Sequence, residues 1–118
     1  MADEVSVNPA NYAYTNISYT NNGDYDDFDA GESYLELSNT EEAMLDKVCS
    51  EFSKVIVVIN ANNPMELDWV DNYDSIGAVI LAPGTGQTGM AALGEIINGS
   101  VNPSGKTVDT YVKDLTQT

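Results

Sequence analysis

Residues 75–100, "SIGAVILAPGTGQTGMAALGEIINGS", contain the pattern that decides the fold: an apolar run, a glycine-rich segment, then apolar residues at helical spacing. The earlier stretch 54–61, "KVIVVINA", holds a second continuous apolar run. Such runs are typical of strands covered on both faces, and strands separated by helical patterns predict right-handed parallel crossovers. We therefore predict an α/β fold, a mostly parallel sheet with flanking helices that form a partial αβα sandwich.

The glycine-rich segment raises the question of nucleotide binding. Gly84, Gly86 and Gly89 spell G-x-G-x-x-G between a predicted strand and a predicted helix, which is the context of the dinucleotide fingerprint. That site also needs an acid about 20 residues further on, at the end of the next strand. Asp109 has the spacing but lies inside "TVDTYV". We favour a structural interpretation, in which the glycines allow a tight turn and close packing of helix on sheet.

Three further segments have local signals. Ser38 and Glu41 form a capping box, which predicts a helix from about Asn39. A short helix is expected after Pro64, and another from about Thr88 to Asn98. Residues 107–112, "TVDTYV", alternate and predict a third, edge-like strand. The predicted buried side chains are Met44, Leu45, Val48, Cys49 and Phe52 on the first helix, Met65, Leu67 and Trp69 in the middle, and Met90, Leu93, Ile96 and Ile97 on the last helix.

The charge balance limits the partners. The 118 residues suit one domain and contain 19 acids, four lysines and no histidine, for a net charge of −15. This excess of negative charge argues against nucleic acid or an anionic membrane as a partner. Without histidine, and with Cys49 as the single cysteine, no metal, cofactor or internal disulfide is expected. No run reaches the length of about 20 apolar residues that a membrane span needs. The N-terminus lacks a signal-peptide pattern, which leaves the compartment unknown.

Residues 1–33 differ from the remainder in composition. They hold seven acids and no lysine, and we predict a flexible or loosely docked acidic arm before a domain at 34–118. The arm's aspartates suggest calcium, but no register through them supplies both the glycine and the glutamate of an EF-hand loop, so a solvated charge run is favoured. Its tyrosines are candidates for packing on a neighbour or for stacking on sugars. These side chains are Asp24, Asp26, Asp27 and Asp29, and Tyr12, Tyr14, Tyr19 and Tyr25.

Several motifs in a fixed order resemble a known family. They are "YLELS" at 34–38, "VIVVIN" with "NPMEL" at 55–67, "PGTGQTG" at 83–89 and "NGSVNPSGK" at 98–106. Together they are similar to the C-terminal α/β sandwich domain of family 3 glycoside hydrolases, the β-glucosidase group. The resemblance covers residues 34–118, and "NPSGKTVDTYVKDL" is closest to bacterial members.

The resemblance implies part of a glycoside hydrolase that acts on O-glycosidic bonds of β-linked sugars. In that family the nucleophilic Asp lies in a separate (β/α)8 barrel, so the implied partners are that barrel and a carbohydrate substrate. The acid/base Glu lies in a G-E-G-x-D stretch before the L-x-L-S motif, and this chain lacks that stretch. Glu32, in "AGES", is the nearest candidate for the catalytic acid/base. We expect the chain to be inactive alone; the alternative is a non-catalytic carbohydrate-binding or structural domain.

Overall fold

The computed structural model describes residues 19–114, which form two helices, two strands and one 3₁₀ helix. In chain order these are helix α1 (Asn39–Glu51), strand β1 (Val55–Ile59), the 3₁₀ helix (Asp68–Asn72), strand β2 (Ile76–Leu81) and helix α2 (Met90–Ile97). The two strands pair in parallel. The predicted α/β class, with a parallel sheet and flanking helices, is therefore confirmed. Within residues 19–114 no helix is long and apolar enough to cross a membrane.

Helix α1 begins at the predicted capping box. The Ser38 hydroxyl accepts the N–H of Glu41 at 3.3 Å, and the Glu41 carboxylate accepts the N–H of Ser38 at 3.0 Å. These two bonds satisfy amides that the first helical turn leaves without partners.

Only part of the predicted buried face of α1 is covered. Leu45 is buried, and Val48 and the free thiol of Cys49 are half-buried. The prediction was wrong for Met44 and Phe52, which are 57% and 63% exposed. The reason is that α1 reaches the buried core through the single side chain of Leu45, and no described layer packs on its other sides.

A register shift near the start of β1 decides which side chains face the core. Val55 pairs with Ile76, but Ile56 pairs with Ala78, so Gly77 is an extra residue in β2. A glycine inside a strand commonly marks such a bulge. Since side chains alternate along a strand, the extra residue places Ile76 on the same face as Val55.

The sheet has an inner face, packed against the core, and an outer face. The inner face carries Val57 and Ile59 from β1 with Val79 and Leu81 from β2, and all four belong to or contact the buried cluster. The outer face, defined here as Ile56, Val58, Ala78 and Ile80, contributes nothing to that cluster.

The centre of the core lies between α1, the inner face and the 3₁₀ helix. Leu45, Ile59 and Trp69 are its buried members, and Met65 and Leu67 pack against them. The indole N–H of Trp69 donates to the carbonyl of Glu66 at 2.8 Å, so its polar atom is satisfied. The predicted core role of the "MELDW" segment is thus confirmed.

The glycine-rich turn joins β2 to α2, and each fingerprint glycine answers a backbone requirement. Gly84 and Gly86 have φ of 59° and 65°, values that favour glycine. At Gly89 a Cβ would lie 2.1 Å from the carbonyl oxygen of Thr85. The close approach is therefore within the turn itself, rather than between helix and sheet as predicted.

Helix α2 is shorter and less covered than predicted. It runs from Met90 to Ile97, and Leu93 and Ile96 are half-buried. The inward placement of Met90 and Ile97 was wrong, because both are exposed. No residue of α2 is buried, since none belongs to the cluster on the inner face.

The predicted third strand at residues 107–112 was wrong. This segment has no strand assignment, and residues 101–110 are all exposed. A strand needs a neighbour, and the segment does not run beside either strand of the described sheet. It returns to the body where the N–H of Leu67 donates to Val112 O at 3.3 Å, and where Lys113 pairs with Asp71.

Candidate functional site

Residues 21–32, named here the Asn21 loop, are organised by one side chain. Asn21 is 1% exposed. Its amide nitrogen donates to the carbonyls of Tyr25 at 3.0 Å and Phe28 at 2.7 Å, while its amide oxygen accepts the N–H groups of Gly23 and Asp24, both at 3.1 Å. One buried amide thus replaces the regular hydrogen bonds that this irregular segment lacks.

The two ends of the Asn21 loop are held together. The N–H of Asn21 donates to Glu32 O at 2.7 Å, and the N–H of Gly31 donates back to Asn21 O at 2.8 Å. The loop is therefore a compact Ω-type loop whose ends meet, a class of loop that is frequently functional.

Asp27 docks this loop on the start of α1. Its carbonyl accepts the N–H of Asn39 at 2.8 Å, and its carboxylate accepts the N–H of Thr40 at 2.9 Å. A negative charge is stabilised at a helix N-terminus. The hydrogen bonds from the side chains of Thr40 and then Ser38 lower the pKa of Asp27.

The aspartates of the loop make no calcium site that the structure reveals. Asp27 is engaged by Thr40, and Asp29 Oδ1 accepts the side chain of Asn39 at 3.4 Å. Among residues 19–114, no three carboxylate or cysteine side chains are grouped so that they could hold a metal ion.

Three aromatic rings stand next to the loop. The ring of Tyr34 meets those of Tyr25 and Phe28 edge to face, with centroids 5.6 and 5.4 Å apart. The Tyr34 hydroxyl donates to Asn21 Oδ1 at 3.1 Å. Burial and then the charge of Asp24 raise the pKa of Tyr34. Tyr25 remains 63% exposed and is available to a ligand; Tyr12 and Tyr14 lie outside the described residues.

An open groove of about 310 Å³ lies between the Asn21 loop, the start of α1 and the chain that follows β1. Ligands of parallel α/β sheets bind outside the carboxyl ends of the strands, and this groove has that position. Its walls combine aromatic, apolar, amide and carboxylate groups, including Phe28, Tyr34, Glu36, Glu41, Asn63 and Met65.

Glu36 is the groove residue with the clearest electrostatic signature. Burial, followed by the charge of the buried Glu66, raises the pKa of its carboxyl group. A raised pKa is what a proton-donating carboxyl requires. Sequence reasoning missed Glu36, although a carboxylate between two leucines in "LEL" is a signal of partial burial.

Glu32, the sequence-predicted acid/base, lies elsewhere. Its carboxylate accepts the N–H of Asp29 at 2.8 Å, and it helps to close the Asn21 loop. The groove is lined by Glu36 and Glu41, and Glu32 is not among its lining residues. The structure therefore does not bring Glu32 together with the groove, and its catalytic role stays a prediction.

Comparison with known families decides the parentage. A family model described as the glycosyl hydrolase family 3 C-terminal domain matches residues 3–118. The chain belongs to this family. The match spans both the predicted arm and the predicted domain, and the division at residue 34 stays a prediction.

The similar curated proteins are β-glucosidases. The chain is 40% identical over 88 residues to "Beta-glucosidase A" of Butyrivibrio fibrisolvens, covering 75% of this chain and 10% of that protein. It is 36% identical over 84 residues to "Beta-glucosidase" of Ruminococcus albus, covering 71% and 9%. It is 35% identical over 98 residues to "Probable beta-glucosidase A" of Neosartorya fischeri, covering 72% and 11%.

The chain thus spans about a tenth of the length of these relatives. They include bacteria and a fungus, so a bacterial source stays a prediction. No solved structure gives a significant match.

Proposed function

We propose that this chain is a section of a β-glucosidase-like glycoside hydrolase that acts on O-glycosidic bonds of β-linked sugars. The observation that carries the proposal is the match of the family 3 C-terminal domain to residues 3–118. The names of the similar proteins supply the reaction class. The groove beyond the carboxyl end of β1 supplies a place for part of the ligand.

The isolated chain is proposed to be inactive. Retaining glycosidases need two carboxyl groups about 5–5.5 Å apart across the scissile bond. The family resemblance places the nucleophilic Asp in a (β/α)8 barrel, and no segment of this sequence resembles that barrel. The barrel of a larger polypeptide is therefore the proposed partner, and a β-linked carbohydrate is the proposed substrate.

Within the complete enzyme, the groove is proposed to contact sugar hydroxyl groups. Asn63 offers an amide, and the carboxyl of Glu36 keeps its proton to a higher pH than a free Glu does. Two carboxyl groups are thus candidates for proton transfer: Glu32 from the family resemblance and Glu36 from its place in the groove.

The test is hydrolysis of an aryl β-glucoside by the purified chain. We expect no turnover above the buffer rate. Turnover that Glu32→Gln or Glu36→Gln abolishes would show that the chain carries a complete catalytic site, and would overturn the proposed inactivity.

A non-catalytic carbohydrate-binding domain is the second candidate, favoured by the exposed ring of Tyr25 beside the groove. Titration with cello-oligosaccharides separates the two. Tyrosine fluorescence is the useful signal, because Trp69 is buried. Saturable binding by the free chain that Tyr25→Ala removes supports a binding module, and its absence supports a section that needs its barrel.

A further inference from the structure

The outer face of the sheet is apolar and poorly covered. Ile56 is 44% exposed, Ala78 is exposed, and Val58 and Ile80 are only half-buried. These side chains alternate with the inner-face residues that pack on Leu45. A strand made of a continuous apolar run is normally covered on both faces.

Helix α2 repeats this observation independently. Its sequence, "MAALGEII", has one charged side chain, that of Glu95, yet no residue of the helix is buried. Met90 at its start and Ile97 at its end are both 48% exposed. A helix that is apolar on nearly all sides belongs in the interior of a larger structure.

From these observations we infer that the outer face and α2 form an interface for an apolar helix or strand layer, supplied by a segment of the parent polypeptide outside residues 1–118. This inference rests on the proposed function, because the relatives are about ten times as long as the stretch they share with this chain. A sheet of two strands is too small to be stable alone, so a partner of this kind is needed.

Two other occupants fit less well. A second copy would bring together two chains that each carry a net charge of −15, which opposes close association. Residues 1–18 contain Asp3, Glu4 and Pro9 and no continuous apolar run, so their sequence does not offer an apolar layer.

The experiment compares covalent labelling of Ile56 and Ile97 in the isolated chain with that in the polypeptide encoded by the complete reading frame. A carbene reagent with mass spectrometry reports both side chains, and sedimentation reports the mass of the isolated chain. We expect a monomer in which both residues are labelled, and a loss of labelling to near background in the complete polypeptide.

Each other outcome overturns the inference. Labelling that persists in the complete polypeptide shows an uncovered face. Protection in an isolated chain that sediments as a dimer identifies a second copy. Protection in a monomer that deletion of residues 1–18 relieves identifies that segment. A reading frame limited to these residues removes the proposed occupant and the proposed function together.

A variant gives a second reading that does not depend on labelling. Ile56→Asp should lower the melting temperature of the complete polypeptide by several degrees, because a charge would be buried without a partner. The same change should leave the isolated chain nearly unaffected. Ser53→Asp, which adds the same charge at an exposed position three residues earlier, is the matched control. Equal effects of the two variants in the complete polypeptide would overturn the inference.

Hydrolysis of an aryl β-glucoside by the complete polypeptide separates this inference from the proposed function. Hydrolysis with Ile56 still labelled defeats the inference and leaves the function. A folded, inactive polypeptide with Ile56 protected defeats the function and leaves the inference.

Discussion

The side-chain amide of Asn21 donates a hydrogen bond of 2.7 Å to the carbonyl oxygen of Phe28, seven residues further along the chain. The same side chain accepts three consecutive backbone N–H groups, those of residues 23–25. The loop beside the groove is therefore built around one buried amide, and the position of Phe28 and Tyr34 depends on it.

Asn21→Ala should lower the free energy of unfolding by about 2–4 kcal/mol, because several buried backbone groups lose their partners at once. Urea unfolding measures this change. Asn22→Ala is the matched control, since Asn22 is exposed, and it should have little effect. Similar losses for the two variants would contradict the role of Asn21.

Ser38→Ala removes the hydroxyl that accepts the N–H of Glu41 at the start of α1. We expect a loss of about 1 kcal/mol in the free energy of unfolding, the usual effect of losing an N-cap. Ser50→Ala serves as the control, because the exposed Ser50 hydroxyl bonds only within the last turn of α1. A larger effect at Ser50 than at Ser38 would mean that the capping box is not what holds this end of the helix.

Two glycine-to-alanine changes should have opposite signs. Gly89→Ala places a Cβ 2.1 Å from Thr85 O, so the turn must shift and stability should fall. Gly94 lies inside α2, and its Cβ would meet nothing within 4 Å. Gly94→Ala should therefore raise stability by up to about 1 kcal/mol through helix propensity. Thermal unfolding of both variants tests this pair, and a gain at Gly89 would refute the geometry of the turn.

The raised pKa of Glu36 makes stability depend on pH. A carboxyl whose folded pKa is raised contributes stability below its unfolded value, taken as 4.5, and loses that contribution as pH rises through the folded pKa. Glu36→Gln should therefore stabilise the chain modestly at pH 7 and have no such benefit below pH 4.5. Glu42→Gln, at an exposed position of α1, is the control. A destabilised Glu36→Gln variant at pH 7 would show that the charged form is favoured instead.

Local signals in the sequence were sufficient for some elements. The capping box at Ser38 and the apolar runs of β1 and β2 predict their elements, because hydrogen bonds and burial there follow from short-range pattern. The role of Trp69 followed in the same way from its apolar neighbours.

Features that depend on distant partners were not predictable. Asn21 acts through backbone groups up to eight residues away with no periodic pattern, so an acidic arm was expected instead. The bulge at Gly77 exists only in the pairing with β1. Met44 and Ile97 were assigned to buried faces on the assumption that this chain supplies its own covering layer, and among the described residues it does not. "TVDTYV" alternates like a strand but has no strand beside it.

The most direct test of the central claim, that this chain is a section of a β-glucosidase-like enzyme and inactive alone, is a segment exchange. The segment of Butyrivibrio fibrisolvens beta-glucosidase A that matches this chain over 88 residues would be replaced by the corresponding residues of this chain. The measurement is kcat/KM for an aryl β-glucoside, with circular dichroism to confirm that the hybrid is folded. We predict that the folded hybrid hydrolyses the glucoside and the free chain does not. A folded hybrid without activity, or turnover by the free chain, would contradict the claim.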